Sequence, residues 1–151
     1  MLEEGCVIRK ICDHINGWEG APCLFLPESR EGGLPGMPVS GKKLPAGAVM
    51  ALSGPAKVRS YVDGSFIGEV PFAVFLRTGG HSPGEGLETL EWYEKLTRYL
   101  ETFAPSPDAD RVYGCCIPSA LPAVSSVEAD GTEEYRASFT VRYRQKGNRD
   151  I

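Results

Sequence analysis

The sequence predicts an α+β fold of two layers, a mainly antiparallel sheet with two helices packed on one face. Three observations carry it. Strand-like stretches cluster along the chain and are joined by tight turns such as Asp63-Gly64 and Asp130-Gly131, which favours antiparallel pairing. Residues 4–16 and 82–103 place apolar residues at helical spacing. Each of these helices is apolar along one stripe only, so each covers one face of a neighbouring layer. With 151 residues, the chain is expected to form a single domain spanning residues 1–151. A chain of this size buries on the order of 70% of its unfolded surface, enough for one core without covalent staples.

In the first helix Ile8, Ile11, Cys12 and Ile15 form the stripe, and Asn16-Gly17 is the expected stop, with Gly17 in a left-handed cap. Residues 22–26, PCLFL, read as a short strand. Residues 27–47, PESREGGLPGMPVSGKKLPAG, are rich in Gly, Pro, Ser and charge and show no periodicity. They are expected to be a mobile loop. Residues 48–54 and 56–64 read as strands, and 65–80 as a longer one in which Pro71 predicts a bulge or an edge position.

Residues 82–103 carry Leu87, Leu90, Tyr93, Leu96, Leu100 and Phe103 at helical spacing, with Glu91–Lys95 and Glu94–Arg98 as i, i+4 pairs. After the break APSPDAD, two strands, RVYGCCI and PAVSSVEA, precede a hairpin at Asp130-Gly131. The last strand alternates. Tyr135, Ala137, Phe139, Val141 and Tyr143 share one face, while Arg136, Ser138, Thr140, Arg142 and Arg144 share the other. FAVFLRTGG (72–80) and FTVRYRQKG (139–147) echo each other, as two amphipathic strands ending in turns would.

Net charge is −4, with 16 Lys and Arg against 20 Asp and Glu, so no global basic field exists and sequence-specific nucleic-acid binding is not expected. No apolar run is long enough to span a membrane. The N-terminal MLEEGCVIRKICDH has acids where a signal peptide needs bases, so a cytosolic origin is expected. The five cysteines, Cys6, Cys12, Cys23, Cys115 and Cys116, are odd in number and read as thiols rather than a disulfide framework. Cys12-x-His14 has no second ligand pair, so neither a metal nor another cofactor is expected.

An enzyme reading would set His81, next to Ser82, against Cys115 or Cys116 as nucleophile. No G-x-S-x-G or H-E-x-x-H motif supports it. TGGHSPGEG (78–86) reads as a linker into the second helix rather than a phosphate cradle, since it lacks the Lys-Ser/Thr ending. The row Arg136, Arg142 and Arg144 is either a solvated face partnered by Glu128, Glu133 and Glu134, or a face on which another subunit sits.

VPFAVFLR, its glycine-rich connector, the helix LETLEWYEKLTRYLE and the closing PSALPAVSSVEADGTEEYRASFTVRYR together resemble the tail-terminator, or minor capsid, proteins of long-tailed phages and prophages. The residues that carry the resemblance are Pro71, Phe72 and Arg77, then Trp92 and Leu96, then Asp130, Gly131, Tyr135, Phe139, Val141 and Tyr143. The N-terminal helix followed by PCLFL also fits, whereas the 27–47 loop has no place in the pattern. The resemblance implies a non-enzymatic virion component that forms a hexameric ring. Such a ring caps the tail tube protein, meets the head connector protein, is assembled in the bacterial cytoplasm and ends at the head–tail junction. Arg77, Arg136, Arg142 and Arg144 are then the candidate interface residues. A small cytosolic α+β module that binds a ligand or a protein is the alternative.

Overall fold

The computed structural model describes residues 3–28, 45–52, 57–79, 85–105, 111–127, 129 and 131–147. Most of the expected loop (29–44) lies outside the described residues, as do His81, Ser82, Glu128 and Asp130. Helix α1 spans Glu3–Asn16 and α2 spans Glu85–Leu100. The strands are β1 (Phe25–Glu28), β2 (Ala46–Ala51), β3 (Lys57–Ser60), β4 (Phe66–Thr78), β5 (Arg111–Val127) and β6 (Glu133–Gln145). They form one six-stranded sheet in the order β1-β2-β4-β6-β5, with β3 paired to β4. Only the β1–β2 pair is parallel. This is the α+β architecture that the tight turns predict.

Both helices lie on the same face. Val7, Ile11 and Ile15 of α1 and Tyr93, Leu96 and Leu100 of α2 share one core with Phe25, Val49, Phe72, Val74, Phe139 and Val141. The alternation in β6 is the reason: Tyr135, Ala137, Phe139, Val141 and Tyr143 are all buried beneath the helices. β4 and β6 run antiparallel through the centre with Phe72 opposite Phe139, their rings stacked at 5.6 Å. The Tyr93 hydroxyl ties α2 to both strands. It donates to the Val74 carbonyl at 3.0 Å, with the Tyr135 carbonyl at 3.2 Å.

Five local expectations are corrected. Gly17 takes no left-handed cap, since positive φ among the described residues occurs only at Gly64 (90°) and Gly131 (96°), the two hairpin glycines. Instead α1 tightens, with the Trp18 N–H on the Ile15 carbonyl at 3.0 Å. The Asn16 amide then clasps the Phe25 backbone, donating to its carbonyl at 2.9 Å and accepting from its N–H at 2.8 Å. That clasp starts β1 at Phe25, three residues later than residues 22–26 predict.

Pro71 is neither bulged nor at an edge. β4 keeps unbroken register with β6 through Pro71–Thr140. The Pro71 carbonyl accepts from the Leu52 N–H at 2.8 Å, just past the end of β2. In an antiparallel strand the missing N–H points to that same side, so the β6 ladder loses nothing. On α2, Leu87 (62% exposed) and Leu90 (36%) leave the buried stripe, which runs Thr89, Tyr93, Leu96, Leu100. A spacing of three residues turns about 60° backwards per step around a helix of 3.6 residues per turn, so the leucine run drifts off the face. Finally, residues 111–127 form one long strand rather than two. β5 is a sheet edge, where Pro118 and Pro122 are tolerated, and its register slips at several points to absorb them.

Candidate assembly surface

Two regions of the fold carry surface chemistry, the outer face of the sheet and the β5 edge. On the outer face the four expected arginines divide. Arg142 and Arg144 are exposed. Arg142 Nε lies 2.6 Å from Glu69 Oε2, directly across from it on β4. Its partner is thus Glu69, not the Glu128, Glu133 and Glu134 cluster that sequence proximity suggests. Arg144 sits beside the Asp63 turn and contributes to holding the Asp63 carboxyl below its usual value, after the larger effect of hydrogen bonds from the Ser65 hydroxyl and amide.

Arg136 is only half-buried, its guanidinium 5.6 Å from the Phe75 ring centroid. Arg77 is not exposed like Arg142 and Arg144. It is 4% exposed, and its Nε donates to Glu134 Oε1 at 3.0 Å. Glu134 in turn accepts from the Ser125 hydroxyl at 3.0 Å. A charge removed from water in this way needs a partner, and here it belongs to the interior.

The cross-strand register places Arg59, Ile67 and Arg144 in one row and Glu69 with Arg142 in the next. This end of the outer face therefore gathers Arg59, Arg142, Arg144 and the following Lys146 against the carboxylates Asp63 and Glu69. The β3–β4 turn beside it exposes Tyr61 and Val62.

The β5 edge is the region that sequence reasoning missed. Val112, Ile117, Leu121, Val124 and Val127 are all large, apolar and exposed, with Leu121 at 85%. A sequence signal existed, because these residues do not alternate strictly and so cannot all face the core. Between β5 and α2 lies a groove of about 340 Å³, lined by Tyr93, Glu94 and Arg98 from the helix and by Pro118, Leu121 and Pro122 from the strand. The neighbouring surface of α2 carries exposed Glu88, Glu91, Glu94 and Glu101 against Lys95 and Arg98.

Of the thiols, Cys115 and Cys116 belong to β5, whereas Cys12 and Cys23, like His14, lie outside it. Cys116 is buried, and burial pushes its thiol upward, with Cys115 adding to the effect. Cys12 is pushed to about 12 and Cys23 to about 11, chiefly by burial. Cys115 is exposed on β5. His14 stacks on Tyr99 at 4.3 Å, and its Nε2 is 3.2 Å from the Thr102 hydroxyl. Among the described residues no group of three or more His, Cys, Asp or Glu side chains is arranged to hold a metal ion. Among the same residues no helix is long and apolar enough to cross a membrane. Comparison with known protein families finds no match, and a search of curated proteins finds none either.

Proposed function

We propose that this chain is a structural subunit of the phage tail-terminator class, forming a ring that caps the tail tube and meets the head connector at the head–tail junction. The observation that carries the reading is the β5 edge. It is 17 residues long, has no strand partner on its outer side among the described residues, and displays five large apolar side chains to water. A long exposed edge invites pairing with another chain, and single-chain proteins blunt or cover it. A subunit that completes its surface only by assembly has reason to keep one. The element order agrees: Pro71-Phe72 lie in β4, Trp92 and Leu96 in α2, and the closing hairpin is β5–β6, as the resemblance implies.

The test is genetic. A phage or prophage from which this coding sequence is deleted should make overlong tail tubes without joined heads, and expression in trans should restore tails of normal length. Normal tails in the deletion would remove the proposal.

The groove supports a second reading, a ligand- or peptide-binding module. Its volume of about 340 Å³ is at the lower end of ligand pockets, on the order of 300–1,000 Å³. That reading expects a bound small molecule or peptide to raise the melting temperature, and Leu121→Asp to abolish the effect.

A further inference from the structure

We infer that copies of this chain associate head to tail. The acidic side of α2, with the α2–β5 groove, seats on the basic end of the next copy's outer sheet face. The inference deepens the ring reading above and rests on it. Its basis is the distribution of charge between two layers. Along α2 and the residue that follows it, exposed Glu88, Glu91, Glu94 and Glu101 outnumber Lys95 and Arg98. On the opposite face of the sheet, Arg59, Arg142, Arg144 and Lys146 outnumber Asp63 and Glu69. Surfaces of opposite sign on one chain attract a second copy and repel the mismatched arrangements of helix layer on helix layer or basic end on basic end.

Each charged surface also has an apolar neighbour. Beside the acids are Leu121 and the groove. Beside the arginines are Tyr61 and Val62, the latter 92% exposed. The apolar residues supply contact area, and the charges set orientation, since exposed ion pairs alone contribute little. Because the two surfaces lie on opposite layers, a two-fold pair cannot use both at once. Their contact is heterologous and continues from copy to copy until the rotation closes a ring.

The test uses two variants and their mixture. Arg59→Glu with Arg144→Glu reverses the basic end while leaving the Arg142–Glu69 bridge intact. Glu91→Lys with Glu94→Lys reverses the acidic side. Thermal melts first establish that both variants fold. Sedimentation velocity over a concentration series at low salt then reads self-association. Each variant alone should associate on the order of tenfold more weakly than the wild type, or worse. An equimolar mixture should recover wild-type association, because the reversed basic end of one variant meets the reversed acidic side of the other.

High salt should weaken the wild type, as the screening length falls to about 3 Å at 1 M. Variants that associate like the wild type, or a mixture that fails to recover, overturn this pairing. A wild type that stays monomeric at every concentration overturns it as well. In each of those cases the capping reading is judged separately by the tail phenotype of the deletion.

Discussion

Arg77 and Glu134 stand directly opposite each other on β4 and β6 and form a salt bridge of 3.0 Å, with 4% and 2% of their side chains exposed. Both strands are central in the sheet, and the pair is buried there. Removing Glu134 takes a paired carboxylate away from a buried guanidinium. Glu134→Ala should cost about 3–5 kcal/mol in urea unfolding, whereas the double replacement Arg77→Met with Glu134→Leu should cost much less. Equal losses in the single and double variants would mean that the two side chains are not coupled.

That pair also marks where the sequence was legible and where it was not. The alternation of β6 identified its core face residue by residue, because burial on one side and water on the other leave a period of two. Arg77 gave no such signal. Seven consecutive residues of β4, Phe72 to Thr78, are buried, so the strand has no wet face from which to read orientation. The partner that neutralises Arg77 lies 57 residues away in the chain, a distance that local pattern does not span. The parallel pairing of β1 with β2 was invisible for the same reason. The sequence of β5 suggests two strands because Pro118 and Pro122 look like breaks unless the strand is known to be an edge.

Leu96 and Leu87 test the face of α2. Leu96 is fully buried and Leu87 is 62% exposed. Leu96→Ala should therefore lose about 2–5 kcal/mol, and Leu87→Ala should stay within about 0.5 kcal/mol of wild type. Chemical denaturation of the two variants side by side decides it, and a reversed order would place the wrong face of the helix against the sheet.

His14 makes stability depend on pH. Its imidazole is held below the ordinary 6.5, first by desolvation and against a smaller opposing hydrogen bond to the Tyr99 backbone. A histidine with a lowered folded pKa binds protons more readily when unfolded. Its contribution is therefore intact above about pH 6.5 and declines as pH falls from there through the folded value. Melting temperature should drop over that window in the wild type, and His14→Gln should flatten that part of the profile. An unchanged slope in the variant would assign the pH dependence to other groups.

Thiol reactivity should follow burial. Iodoacetamide at mildly alkaline pH should label Cys115 well before Cys12, Cys23 or Cys116, whose thiols are raised by burial, since only the thiolate reacts. Mass spectrometry of timed digests gives the order. Early labelling of Cys116 would show that the β5 edge opens in solution.

The most direct test of the assembly account is to polymerise a phage tail tube protein, with and without the purified chain, and to measure tube lengths by negative-stain electron microscopy. The account predicts shorter tubes that bear a ring of density at one end and elongate no further when more tube protein is added. Tubes that grow to the same length in the presence and absence of the chain, with bare ends, would contradict it.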